Sequence, residues 1–362
     1  MSEFRIHVKA SSEYDVVIGE GLTGRAGSLV REAVPKAEKI LLVSETNVAK
    51  LFLEQVRSDL LKAGFLVTEY IFQAGEQSKN INTVSEMWGA MARAGFTRTD
   101  AVVSLGGGVT TDMAGFAAAT FLRGIKVVHI ATSLLAQVDA AIGGKTGIDL
   151  PEGKNQVGSF HQPAMVIEDT DCLRTLPEEK FTEGLGEVLK YAFIMDRDLY
   201  DLLEGYENKS GLQSDIETLT KIVRASVEDK VEVITEDEFD TGRRQTLNFG
   251  HTIGHVIERD SDFTKDHGVC VAKGMGIIAD ACLANGLTDK DTHDRIIDLI
   301  TSYGLPAGDE ITSEAAVSGA MNDKKKRGNT ISIILVNRIG EAEIVKMTPD
   351  GFLEFLKRRD IT

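Results

Sequence analysis

The chain has 362 residues, 42% of them apolar, and a formal net charge of −16. That length exceeds one ordinary core and predicts two domains, or one large α/β domain with an appendage. The acidic balance argues against a nucleic-acid surface, and no apolar run approaches the ~20 residues of a membrane span. Cys172, Cys270 and Cys282 lack C-x-x-C spacing and read as reduced, buried thiols. The start of the chain has no basic segment followed by an apolar run, so the expectation is a cytoplasmic protein.

In chain order, "DVVIG" (15–19), "KILLVS" (39–44), "FLVTEYIF" (65–72), "AVVSLGG" (101–107), "KVVHIAT" (126–132) and "AMVIED" (164–169) read as strands. Amphipathic segments such as 48–64 and 81–95 lie between several of them. That alternation predicts a mostly parallel sheet flanked by helices. From "LRTLPEEKF" (173–181) to about 325 the pattern is mainly helical, and one strand, "TISIILVNRIG" (330–340), follows. The expected division is an α/β domain over 1–177 and a mainly helical domain over 178–362.

Residues 101–124, "AVVSLGGGVTTDMAGFAAATFLRG", run from a strand through three glycines into a small-residue helix. Gly106, Gly107 and Gly108 allow a sharp turn and close approach of a ligand. The helix behind them aims N–H groups at that spot, which suits phosphate. The plain alternative is a tight strand-to-helix turn, and the pattern is not G-x-G-x-x-G. Residues 137–163 form a second glycine-dense loop, carrying Asp139, Lys145, Lys154 and Asn155. Lysines held by glycine-rich backbone bind anions; a solvated surface loop is the plain reading.

Residues 244–274 hold three of the seven histidines. His251 and His255 stand four apart, on one helical face, a metal-binding spacing. The residue after His251 is threonine, so this is not the zinc-protease motif. His267 precedes a small-residue helix. Upstream, Glu187 sits in "EGLGEVLK" with Lys190 three residues on. Two imidazoles and a carboxylate suit zinc with an open position. Spacing alone favours His251 and His255, without saying which two of the three bind.

The four motifs "GGGVTTDMAGFAAATFLRG", "LLAQVDAAIGGKTGIDLPEGKNQVGSFHQP", "LRTLPEEKFTEGLGEVLKYA" and "RRQTLNFGHTIGHVIE…HGVCVAKGM" together resemble the 3-dehydroquinate synthases, among the sugar-phosphate cyclases. The resemblance covers about 40 to 345. It implies an N-terminal α/β nucleotide-binding domain and a mainly α-helical, metal-binding C-terminal domain. The implied cofactors are NAD and Zn²⁺ or Co²⁺. The implied metal ligands are Glu187, His251 and His267, which leaves His255 as an acid/base or hydrogen-bonding group. NAD would lie against Gly107, Gly108 and Val109, with Asp112, Thr132, Ser133, Asp139, Lys145, Lys154, Thr175 and Leu176 nearby. Glu45, with Asn47, would hold the adenosine ribose, as would Glu76 and Lys79. Lys145, Asn155, Asn248 and Lys325 would face the substrate phosphate, with Lys324 possible in place of Lys325. Lys230 and Arg244 would sit by its carboxylate, and Lys190 beside Glu187. Arg123 would reach the phosphate of a neighbouring subunit, which implies a homodimer. The chain departs from the family pattern at Glu45, at Thr110-Thr111 before Asp112, and at Ala131 and Ser133.

The resemblance also implies a reaction: 3-deoxy-D-arabino-heptulosonate 7-phosphate becomes 3-dehydroquinate and phosphate, the second step of the shikimate pathway. Phosphate cannot leave until the proton beside its carbon is acidic. Transient oxidation of the C5 hydroxyl by NAD makes it so. Re-reduction, ring opening and an internal aldol closure complete the cycle. Alternatives are another sugar-phosphate cyclase, similar to 2-deoxy-scyllo-inosose synthase, a metal-dependent polyol dehydrogenase, or a catalytically silent nucleotide- and metal-binding module.

Overall fold

The structure is a computed structural model that describes residues 3–261, 264–309, 311–321 and 330–359. The chain divides into two compact units, one of residues 1–176 and 213–238, the other of 177–212 and 239–362.

The first unit is built on a seven-stranded sheet. Its strands are β1 (Phe4–Val8), β2 (Tyr14–Gly19), β3 (Lys39–Glu45), β4 (Leu66–Phe72), β5 (Ala101–Gly106), β6 (Lys126–Ala131) and, past a hairpin, β9 (Met165–Asp169). Their spatial order is β1-β2-β9-β6-β5-β3-β4. All neighbours are parallel except β1 with β2. Near-continuous apolar runs form these strands because helices cover both faces. Along β3, Ile40 and Leu42 join one core with Leu29, Val30, Val56 and Leu60. Leu41 and Val43 join the opposite core with Val84, Met87, Met113 and Ala117. This period of two assigns each strand residue to a layer. The chain leaves β3 outward to β4, then returns to β5 on the other side. The carboxyl ends of β3 and β5 therefore flank a topological switch point, where open α/β sheets bind ligands.

The glycine-dense segment expected as a loop is instead a hairpin of β7 (Lys145–Leu150) and β8 (Gly153–Phe160). It pairs Gly147 with Gly158 and Ile148 with Val157. A Cβ on Gly158 would lie 2.0 Å from the Thr146 carbonyl oxygen. The glycines that made the sequence look like a loop are what let the two strands approach.

A second difference concerns the helix Ile216–Glu236. The sequence places it with the helical C-terminal half, yet it belongs to the first unit and packs on β1, β2 and the turn Ala136–Ala140. Its buried stripe includes Leu219, Val223, Val227 and Lys230. Thr220 hydrogen-bonds Thr170 at 3.0 Å. Amphipathic spacing shows that a helix has a buried face, not which core that face joins.

The second unit is helical. Its helices include Glu178–Ile194, Arg197–Gly205, His251–Asp260, His267–Ala284, Lys290–Ser302, Ser313–Met321 and Pro349–Lys357. The helix His267–Ala284 is long and apolar enough to pass for a membrane span, but 67% of it is buried in the unit's core. Where one strand was expected there are two: β10 (Ile331–Arg338) and β11 (Glu341–Met347), turning at Gly340 with φ +85°. The charges of "EAEIVKM" hide β11, none of whose residues is fully buried.

Candidate active site

In the second unit, three helices meet backbone to backbone, and each meeting point is a glycine beside a candidate ligand. A Cβ on Gly186 would lie 2.5 Å from the Gly268 carbonyl oxygen, and one on Gly268 would lie 1.9 Å from that of Glu183. Gly254 faces the Cys270 carbonyl, and Gly274 faces that of Gly250. Gly250 is left-handed, φ +77°, and starts the helix His251–Asp260. Gly186, Gly250, Gly254 and Gly268 directly adjoin Glu187, His251, His255 and His267 in the chain. Side chains larger than hydrogen would hold the helices apart and separate these groups.

The ring nitrogens of His251, His255 and His267 include a set lying within 4.8 Å of one another. Glu187, fully buried, adds a carboxylate. Its Oε2 accepts from Lys190 Nζ, itself 1% exposed. Its Oε1 accepts no hydrogen bond among the described residues. That oxygen lies 3.6 Å from His251 Nε2 and 3.3 Å from His267 Nε2. The opposite ring nitrogens have partners. His251 Nδ1 donates to the Phe249 carbonyl at 3.1 Å, and His267 Nδ1 to Glu258 Oε2 at 3.4 Å. Each contact fixes the ring so that Nε2 is the nitrogen turned toward Glu187, the one a metal ion would take in exchange for a proton. Burial opposes charge on Glu187, but Lys190, His251 and His267 outweigh it and hold the carboxyl well below its usual range. Burial also opposes charge on His267, but Glu187 and Glu258 lift it to about 10. An orphaned buried carboxylate oxygen facing two oriented imidazoles is a donor set that fits Zn²⁺ or Co²⁺.

Arg244 is buried and Asn248 half-buried, both on the turn Arg243–Asn248 that leads into Gly250. Lys325 and Lys324 lie outside the described residues.

In the first unit the predicted nucleotide residues gather at the carboxyl ends of β3, β5 and β6. Gly107 precedes the helix Gly108–Thr120, whose first turn has no side-chain cap. Its N–H groups, with Val109 in the first turn, are therefore available to an anion. Ser133 Oγ stands 3.1 Å from where a Gly107 Cβ would be, and Thr132 N donates to the Gly106 carbonyl. Glu45 ends β3 and accepts from the N–H groups of Asn47 and Val48 at 2.6 and 2.9 Å. Lys79 is 5% exposed and donates to Asp112 Oδ2 and Asn155 Oδ1, both at 2.6 Å. Burial opposes its charge, but Asp112 and Glu76 outweigh that and hold the ammonium above its ordinary value. Lys154 Nζ lies 3.5 Å from Glu76. Lys230 donates to Asp139 Oδ1 at 2.7 Å and to the Asp139 carbonyl. Thr175 and Leu176 close the turn after β9. The uncapped glycine turn at the switch point fits a dinucleotide's phosphates.

Residues 69–183 match the family model described as 3-dehydroquinate synthase N-terminal, and residues 184–326 the one described as 3-dehydroquinate synthase C-terminal. The chain belongs to the 3-dehydroquinate synthase family. It is 41% identical over 347 residues to the 3-dehydroquinate synthase of Streptococcus sanguinis (strain SK36), covering 95% of this chain and 97% of that one. The value is 42%, over the same length and shares, for the 3-dehydroquinate synthase of Lactococcus lactis subsp. cremoris (strain MG1363). Among solved structures it resembles ValA, a 2-epi-5-epi-valiolone synthase from Streptomyces hygroscopicus subsp. jinggangensis 5008 with NAD⁺ and Zn²⁺ bound. The TM-score is 0.88 and the identity 27%, over 99% of each chain. The relatives at 41–42% carry the dehydroquinate synthase name, and the sister cyclase is more distant.

Two further features of this family member come from the structure alone: the backbone strain around the expected site residue Arg123, and Glu258. Arg123 sits exposed in a strained turn, with Leu122, Arg123 and Gly124 all at positive φ (+49°, +69° and +117°). Strain of this kind persists where the surroundings impose it. Glu258 was missed, although it stands seven residues after His251 and three after His255, on the same helical face.

Proposed function

We infer that the protein is a 3-dehydroquinate synthase. It converts 3-deoxy-D-arabino-heptulosonate 7-phosphate to 3-dehydroquinate and phosphate, in the shikimate route to aromatic amino acids. The observation that carries this reading is 41% identity to curated synthases over 95% of the chain. The four-group cluster of Glu187, His251, His255 and His267 supports it.

Glu187, His251 and His267 would hold the divalent metal, and His255 would face substrate as an acid/base or hydrogen-bonding group. When bound, the metal lowers the pKa of substrate hydroxyls and NAD exchanges a hydride with the substrate. Lys190 keeps Glu187 ionised. Gly107, Gly108 and Val109 offer backbone N–H groups to the dinucleotide phosphates, with Thr132 and Ser133 beside them. Glu45, Asn47, Glu76 and Lys154 line the nucleotide region. Lys79 fixes Asp112 and the hairpin residue Asn155. Lys145, Asn155, Asn248 and Lys325 bind the substrate phosphate, and Lys230 and Arg244 its carboxylate. These cations suit a multiply anionic substrate on a chain of charge −16. Arg123 acts on a second copy, so the working form is a homodimer. Three buried cysteines without disulfides fit a reducing cytoplasmic setting.

The test is the product. With NAD and Zn²⁺, the purified protein should yield 3-dehydroquinate and equimolar phosphate, identified by mass and by phosphorus NMR. Turnover of sedoheptulose 7-phosphate in place of this substrate would reassign it to the valiolone-type cyclases.

A further inference from the structure

We propose that Glu258 is a positioning residue for the metal centre: its carboxylate orients His267 and strengthens it as a ligand. The inference rests on the metal-binding reading above and adds a residue to it. Glu258 is 4% exposed and lies on the helix His251–Asp260, one turn beyond His255. Its Oε2 is 3.4 Å from His267 Nδ1. The other nitrogen of that ring, Nε2, faces Glu187 Oε1 at 3.3 Å. Glu187 and Glu258 thus stand on opposite edges of one imidazole. Glu258 touches the edge that points away from the metal position, so it acts through His267 and does not compete for the ion.

The two ligand imidazoles are held by different acceptors. A neutral backbone carbonyl, that of Phe249, holds His251, whereas a carboxylate holds His267. A carboxylate on Nδ1–H withdraws positive character from the ring and makes Nε2 the stronger donor. It also fixes the ring plane of a histidine at the first position of its helix, directly after the N-cap Asp266. The helix of Glu258 already carries His251 and His255, so one rigid element supplies one ligand and aligns another.

The experiment measures Zn²⁺ affinity by competition with a chromophoric chelator, and the visible absorption of the Co²⁺-loaded protein, for wild type, Glu258→Gln and Glu258→Ala. Glu258→Gln keeps shape and an acceptor oxygen but removes the charge. It should weaken Zn²⁺ binding about 10-fold and shift the Co²⁺ bands, and Glu258→Ala should weaken it by up to about 100-fold. If Glu258→Ala does not fold, the near-isosteric Gln variant decides alone. Unchanged affinity and an unchanged Co²⁺ spectrum in Glu258→Gln would overturn the proposal. A wild-type protein that binds no metal would instead overturn the metal-centre reading, so the two failures are separate.

Discussion

Gly186 lies against Gly268: a Cβ on the first would sit 2.5 Å from the carbonyl oxygen of the second. The residues beside them in the chain are Glu187 and His267, so this contact sets the reach between two of the proposed ligands. Gly268→Ala would force its helix away from Glu183, whose carbonyl oxygen lies 1.9 Å from the new methyl. The expected cost is about 1–3 kcal/mol of stability, together with loss of bound metal. Thermal unfolding and metal content measure the two effects. A Gly268→Ala protein with wild-type metal content would show that the crossing does not set the site.

The proposed metal ligation separates the histidines. His251→Ala and His267→Ala should lose stoichiometric zinc, while His255→Ala keeps it and loses turnover. Metal analysis of the three purified variants checks this, and equal loss from His251→Ala and His255→Ala would undo the assignment.

Lys79 is a buried cation shared by Asp112 and Asn155. Lys79→Met leaves Asp112 without its cation, at a cost of about 3–5 kcal/mol. NAD binding should fall while zinc content, set in the other unit, stays at one equivalent. Fluorescence titration with NADH and metal analysis give the two readouts. An unchanged denaturant midpoint together with unchanged NADH affinity contradicts the account.

His129 links pH to stability. Its Nδ1 is 2.7 Å from Ser104 Oγ in the core of the first unit. Burial, with a smaller contribution from His161, pushes its pKa down to about 3. The unfolded chain protonates this group near its ordinary 6.5. The unfolded state therefore binds more protons between these values, and stability falls as pH drops from about 6.5 toward about 3. The loss from this group is on the order of a few kcal/mol. His129→Gln should flatten that limb relative to wild type, as read by denaturant midpoints across pH. Parallel curves would remove His129 from the acid response.

Much of this was legible in the sequence, for identifiable reasons. β3, β5, β6 and β9 are read from apolar runs because both of their faces are buried. Gly107 and Gly108 mark the turn after β5 because a Cβ at either would crowd Ser133 or Ala140. The imidazoles announce a metal, but i, i+4 spacing favours His251 with His255, whereas Glu187 Oε1 faces the Nε2 atoms of His251 and His267. That choice depends on how three helices cross, which linear spacing does not encode. The β7–β8 hairpin was hidden by its own glycines, and β11 by alternating charges. Glu258 carries no signal of its partner in linear spacing, because His267, nine residues on, reaches it only through the fold.

The most direct test follows phosphate release from 3-deoxy-D-arabino-heptulosonate 7-phosphate, with NAD and Zn²⁺ present, while the NADH absorbance band is monitored. The account predicts many equivalents of phosphate per enzyme with no net NADH, because the hydride returns to the same substrate in every turnover. NADH accumulating in step with substrate consumption would contradict it and make the protein a dehydrogenase.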